Sequence, residues 1–301
     1  MSTFVLKLIA LIAMLIDHVA YVFGWEGWDL LLVNSSTIRY IGRLSFPIFA
    51  FCIVNGWKYT QNKERYFSNL CICALLSQIP FSMAFYMPNR MAIQSGSQPI
   101  TFIFNPICIV LALVCGVTYW YFVLRRKTSK SLVAFIAVCL LPAVYLKINY
   151  VWILSDSLNV LYTFVFGIAG LFVIDSVKSK SFRWWEYIWL IGVFILVAVV
   201  YCPIADYGNY MMGLLLIMAL YATQKWRVLQ SMSIAIWGCI LYGFIIGNWY
   251  NALATLAPAV LILFYNQKPG LKNKFSKQLF YVFYPVHLMI IGLANIYLRF
   301  I

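Results

Sequence analysis

Charge is what this chain has least of. Only 10% of its 301 residues are Asp, Glu, Lys or Arg, against about 25% in an ordinary soluble domain, which excludes a water-soluble globular fold. Eight residues are acidic and two are histidine, so each ionisable group inside an apolar run stands out. A small-x-small cleavage site is also missing. Phe23 is followed by "GWEGWD", and the first seven residues carry a single positive side chain, Lys7. The first apolar run therefore reads as a retained helix, not a signal peptide. The eight cysteines fall almost entirely inside apolar runs without metal-ligand or disulfide spacing. Cys71 and Cys73, two apart, face different sides of a helix, and all eight read as small packing residues with no metal among the expected cofactors. Linkers, low-complexity tracts, internal repeats and separable soluble segments are not evident, so residues 1–301 read as a single integral-membrane domain.

What the chain has is apolar length. Apolar and aromatic residues make up 64% of it, in recurrent runs of roughly the 20 residues that cross ~30 Å of hydrocarbon as a helix. The expected fold is all-α: a polytopic transmembrane bundle of about eleven helices. The runs are Phe4–Phe23, Arg39–Trp57, Phe67–Met87, Thr101–Leu124, Leu132–Leu146, Asn159–Val177, Trp185–Tyr201, Asn209–Ala222, Val228–Gly247, Tyr250–Tyr265 and Gln278–Leu298. Most of the 22 basic residues lie in the segments after even-numbered runs, with Lys7 at the amino end. Such alternation is the positive-inside pattern and places the amino end in the cytoplasm and the carboxyl end outside. The net charge of +14 is thus mostly topology in a lipid bilayer, and no nucleic-acid partner is expected.

An ionisable side chain at bilayer depth costs roughly 2.5–3.5 kcal/mol, so it faces protein and has a partner. The candidates are Asp17, His18, Arg39, Arg43 and His287, with Asp206 at an outer mouth. At about 1.5 Å rise per residue, Asp17 and His18 lie ~20 Å from the inner end of the first helix. On the same scale Arg43 lies ~6 Å below the outer end of the second and His287 ~14 Å along the last. All fall between the midplane and the outer third. Arg39 and Arg43 are i,i+4 and share a face. Pro47 presses on the carbonyl of Arg43, so the second helix should bend there, and Pro285 stands in the same relation to Tyr281. Asp17 and His18, adjacent, point about 100° apart: Asp17 toward a neighbour such as Arg43, His18 toward a cavity. A structural Asp17–Arg43 ion pair and satisfied core histidines are the bland readings of the same residues.

Three blocks of sequence resemble the TraX family of membrane acetyltransferases, within a wider group of transmembrane acyltransferases. They are "KLIALIAMLIDH" with "IRYIGRLSFPIFAFCIVNG" (Lys7–His18, Ile38–Gly56), "ADYGNYMMG" (Ala205–Gly213), and "LILFYNQKPG" with "LFYVFYPVHL" (Leu261–Gly270, Leu279–Leu288). Between about 105 and 201 the likeness is mainly hydropathy. The resemblance implies transfer of an acetyl group from cytosolic acetyl-CoA to an acceptor across the bacterial cytoplasmic membrane. It places the family's aspartate-histidine pair on Asp17 and His18, its second-helix arginine on Arg43, its final-helix histidine on His287 and a further polar position on Gln78. "NQKPG" stands where the family has an asparagine-glycine-lysine-arginine-glycine string.

Chemistry and resemblance converge on acyl transfer. A neutral histidine suits the role of general base, here His18, with His287 as orienting partner or alternative base. Arg43 would stabilise the oxyanion and Asp17 would hold Arg43 or an imidazole. Acceptor contacts are expected from Arg39, Gln78, Asp206, Tyr207 and Tyr284. The phosphates of acetyl-CoA are expected on Lys58, Arg65, Arg125, Arg126, Lys268 or Lys272. The acceptor is an amine or hydroxyl of a pilin, another exported peptide or an envelope glycan. A small-solute or proton-coupled transporter would also carry intramembrane charges, and an assembly subunit would need none of them.

Overall fold

The computed structural model describes residues 1–24, 35–86, 101–123, 130–148, 151–155, 157–180, 182–205, 211–271 and 274–300. They form a helical membrane bundle. Among the described residues, seven helices are long and apolar enough to cross a bilayer, and four apolar stretches are shorter. All eleven expected runs have a helical counterpart. The helices are α1 Thr3–Gly24, α2 Ser35–Gly42, α3 Ser45–Tyr59, α4 Lys63–Phe85, α5 Pro106–Phe122, α6 Lys130–Leu140, α7 Val160–Ser179, α8 Trp184–Tyr201, α9 Met212–Ala222, α10 Arg227–Gly238, α11 Trp249–Ala254, α12 Leu256–Leu263 and α13 Lys274–Phe300. A π-helical segment, Cys239–Ile245, continues α10.

The pattern of exposure is that of a chain solvated by lipid. Along α5, Ile107, Val110, Leu113 and Val117 form one exposed stripe, while Cys108, Leu111, Ala112 and Cys115 are buried. An apolar stripe turned outward inverts the soluble pattern, and small residues turned inward allow helices to approach closely. Cys52, Cys71, Cys73, Cys108, Cys115 and Cys139 are buried, in keeping with a packing role.

The chain divides into two compact units. The first comprises Met1–Tyr59 and Leu215–His287, the second Thr60–Leu214 and Leu288–Ile301. In the first unit, the expected bend of the second run is a short tightened turn: α2 stops at Gly42, α3 starts at Ser45, and Arg43 N–H to the Tyr40 carbonyl (3.2 Å) and Leu44 N–H to that of Ile41 (3.1 Å) carry the chain across. Pro47 lies in the first turn of α3, where its missing N–H costs nothing, and the Ser45 hydroxyl donates to the Gly42 carbonyl at 2.7 Å. Gly42 itself lies against Asp17 of α1, where any Cβ would overlap the Asp17 side chain. At the other end, Thr3 N–H donates to the Lys268 carbonyl at 2.9 Å and Phe4 N–H to that of Pro269 at 3.2 Å. The "NQKPG" turn is thereby tied to the start of α1. The Arg227 guanidinium adds hydrogen bonds to the carbonyls of Tyr265 and Leu263, covering acceptors that the end of α12 leaves open.

In the second unit, three short strands add to the helices: β1 Thr101–Phe104, β2 Val144–Ile148 and β3 Val151–Leu154, antiparallel in the order β1-β2-β3. Two expected helices are corrected by them. The run Thr101–Leu124 is a strand up to Phe104 and becomes helical only at Pro106, favoured at a first helical position. The run Leu132–Leu146 leaves the α-helix at Leu140, ahead of Pro142, and is extended from Val144. Gln78 of α4 then secures the chain entering α7. Its carboxamide donates to the Ser157 carbonyl (2.8 Å) and to Ser82 Oγ (3.4 Å), and its oxygen accepts from Asn159 N–H (3.0 Å) and Nδ2–H (2.9 Å).

Candidate active site

α1, α2 and α13 gather the ionisable residues of the first unit. Asp17 and His18, adjacent on α1, diverge as helical geometry requires. Asp17 turns toward α2 and His18 toward α13. Asp17 Oδ1 meets Arg39 Nε at 3.4 Å, with the Arg39 guanidinium also lying over the Tyr21 ring at 4.5 Å. Arg39, not only Arg43, is therefore the guanidinium that engages the carboxylate. Its side chain stays 32% exposed.

His18 Nδ1 and His287 Nε2 are 2.8 Å apart, and His287 Nδ1 is 2.8 Å from the Phe283 carbonyl one turn earlier on α13. The imidazole planes differ by only 11°, with ring centres 5.1 Å apart. With nitrogens in direct contact, that spacing is an edge-to-edge, in-plane hydrogen bond rather than a face-to-face stack. The hydrogens are assigned by chemistry. A carbonyl only accepts, so His287 Nδ1–H donates to Phe283. Nε2 of a neutral His287 is then the acceptor, and His18 Nδ1–H donates to it. The lone pair of a neutral His18 is thereby assigned to Nε2. His287 is buried and gripped by two rings: Phe283 lies parallel at 4.8 Å, and Tyr284, itself buried, meets it edge-on at 5.5 Å. His18 remains half-buried.

Arg43 occupies the turn between α2 and α3. Its Nε–H donates to Asn251 Oδ1 at 3.1 Å and its Nη1–H to the Tyr242 hydroxyl at 3.3 Å, with the guanidinium carbon 5.1 Å from the Tyr242 ring centre. Neither Tyr242 nor Asn251 is ionisable at neutral pH, so the search for charge in apolar runs passed over both. Asn251 was the more visible of the two, a carboxamide inside an apolar helix and three residues after the capping Asn248.

The remaining expected residues fall in several places. Gln78 has both donors and both acceptor positions filled inside the second unit. A substrate contact there would have to displace one of these bonds, which give Gln78 a structural role in its own unit. Lys58, at the end of α3, and Lys268 are exposed in the first unit, and Arg65 is exposed in the second. Arg125, Arg126, Lys272, Asp206 and Tyr207 lie outside the described residues. Among the described residues, no three His, Cys, Asp or Glu side chains are grouped as a metal site requires.

Comparison with known proteins bears on the family. The family described as "TraX protein" matches residues 2–155 and 154–295. The chain belongs to the TraX family. It is also similar to a protein of Dichelobacter nodosus named "Probable fimbrial assembly protein FimC, serogroup H1". The two are 23% identical over 308 residues, spanning 99% of this chain and 97% of that one. No solved structure matches.

Proposed function

We propose that this TraX-family protein is a membrane-embedded acyltransferase. It moves an acetyl group from cytosolic acetyl-CoA to an amine or hydroxyl at the outer side of the bacterial cytoplasmic membrane. The observation that carries the reading is the His18–His287 hydrogen bond, which directs a basic nitrogen, Nε2 of His18, away from its partner. A relative named for fimbrial assembly favours a pilin amine as acceptor. Another exported peptide or an envelope glycan belongs to the same chemical class.

In this scheme the acceptor N–H or O–H passes its proton to His18 Nε2 as its lone pair attacks the thioester carbonyl. A neutral imidazole is suited to this, with a reference pKa of about 6.5. The imidazolium so formed keeps its Nδ1–H on His287 Nε2, and the second imidazole shares the added charge. The carbonyl oxygen becomes an oxyanion, for which the Arg43 guanidinium is the donor. Such donors act strongly where water is scarce. Collapse breaks the carbon–sulfur bond, the coenzyme A sulfur takes the proton from His18, and the pair returns to its starting state. Asp17 holds Arg39, while Arg43 is held by the neutral Tyr242 and Asn251 beside the reacting oxygen. Arg39 and Tyr284, both of the first unit, contact the acceptor. Lys58 or Lys268, both exposed in the first unit, meets the phosphates of coenzyme A.

The test is direct. Purified protein should bind acetyl-CoA and release coenzyme A thiol, and His18→Ala should abolish release while expression of folded protein is retained. Undiminished release from His18→Ala would end the assignment. Solute flux without any use of acetyl-CoA would instead support a transporter.

A further inference from the structure

Arg43 has been given the oxyanion role, and a guanidinium on a flexible stem serves it only when held in place. A rotamer-rich side chain must otherwise be ordered at each turnover. The structure sets two neutral groups, from two other elements, against this one. Tyr242 comes from the π-helical segment Cys239–Ile245, and Asn251 from the short helix α11 next along the chain.

The backbone between Tyr242 and Asn251 fixes where each side chain points. Within the π segment one extra residue is accommodated per turn. Relative to a continuous α-helix, an inserted residue rotates the downstream residues by about 100°. Tyr242 lies inside that segment and meets Arg43. The segment is then closed by hydrogen bonds from Ile246 N–H to Leu241 carbonyl (3.0 Å) and from Asn248 N–H to Tyr242 carbonyl (2.6 Å). Gly247 takes the left-handed conformation at φ +75°, which glycine adopts without strain. Asn248 Oδ1 accepts from Asn251 N–H at 3.1 Å, starting α11 so that Asn251 lies opposite Arg43. Tyr242 and Asn251 are both buried, and a π turn inside a helix is frequently found at a functional site.

Resting on the acyltransferase reading, we infer that Tyr242 and Asn251 are positioning residues that clamp the Arg43 guanidinium for the developing oxyanion, the π-helical turn being the device that delivers them. Both of these residues are neutral, so the clamp orients the cation and adds no counter-charge to that of Asp17, which already interacts electrostatically with Arg43. A carboxylate in either place would satisfy geometry and cancel the charge. The clamp thus predicts transition-state effects with little influence on donor binding.

The experiment is a set of double-mutant cycles on the full-length protein in lipid nanodiscs, with release of coenzyme A thiol from acetyl-CoA as the rate and thermal unfolding as a second readout. Tyr242→Phe and Asn251→Leu should each lower kcat about tenfold with KM for acetyl-CoA unchanged. In an Arg43→Ala background neither should lower it further, because both act through Arg43. Full additivity in that background overturns the inference, as does a loss confined to KM. Wild-type protein that releases no more thiol than His18→Ala overturns the acyltransferase reading, and the catalytic role of the clamp falls with it. The unfolding cycle separates the two failures. Coupling between Arg43 and Tyr242 in stability, with no thiol release, leaves the contact standing and removes the chemistry. Active protein without any coupling removes the clamp alone.

Discussion

Replacing His287 tests the histidine pair most finely, because two substitutions separate orientation from proton relay. His287→Phe keeps an aromatic ring between Phe283 and Tyr284 but removes the acceptor for His18 Nδ1–H, now 2.8 Å away. A buried donor left unsatisfied costs about 1–3 kcal/mol. The imidazole can relieve that cost by moving its hydrogen to Nε2, the atom required as base. At about 1.4 kcal/mol per tenfold in rate, kcat should fall roughly 5- to 150-fold with KM for acetyl-CoA little changed. His287→Gln supplies a carboxamide oxygen that can accept the same hydrogen but cannot take up a proton. If His287 only orients His18, the glutamine variant should recover most of the loss. If it also shares the proton, glutamine should remain nearly as impaired as phenylalanine. The assay is initial-rate thiol release by purified full-length variants of equal unfolding temperature. Full activity in His287→Phe would refute the reasoning, since the hydrogen-bonded pair would then contribute nothing.

Other consequences rest on single contacts. Gly42→Ala places a methyl group into Asp17, and overpacking of this kind costs about 1–3 kcal/mol. It should lower the unfolding temperature and reduce thiol release together, whereas Gly192→Ala, with nothing within 4 Å of the new Cβ, should change neither. Gln78→Leu strands the buried Asn159 N–H and Nδ2–H, one of which also reaches the Ala74 carbonyl. A loss of about 2–4 kcal/mol is expected, read as reduced thermal stability with KM unchanged in the surviving folded fraction. The positive-inside reading predicts that a cysteine introduced at exposed Lys268 reacts with an impermeant maleimide only from the cytoplasmic side; labelling from outside would invert the topology.

Much of the fold was legible because a bilayer demands long apolar helices, and hydropathy registers them whatever their packing. What hydropathy cannot register is a change of backbone within an apolar run. Val144–Ile148 and Val151–Leu154 are as apolar as a helix end, and short apolar runs do not separate strand from helix by periodicity. The π turn at Cys239–Ile245 carries no compositional mark at all. The site was legible where it is charged: Asp17, His18, Arg39, Arg43 and His287 were visible as ionisable groups in apolar surroundings, and Pro47 signalled the interruption beside Arg43. The direct contact of Asp17 with Arg39 was not, since Arg39 and Arg43 share a helix face, both interact electrostatically with Asp17, and spacing alone does not rank them. Tyr242 is one of 21 tyrosines, and its place depends on the π turn. Gln78 is a polar residue at membrane depth whose hydrogen bonds serve the backbone of its own unit, a role that its residue type alone does not reveal.

The central claim is that His18 is the base of an acetyl transfer across the membrane. Mass spectrometry of surface peptides and glycans from cells carrying the wild-type gene, a deletion, or His18→Ala addresses it most directly. The account predicts a species acetylated in wild type and unacetylated in both other strains, at equal protein expression. An acetylation pattern identical in all three strains, or retained in full by His18→Ala and lost only on deletion, would contradict it.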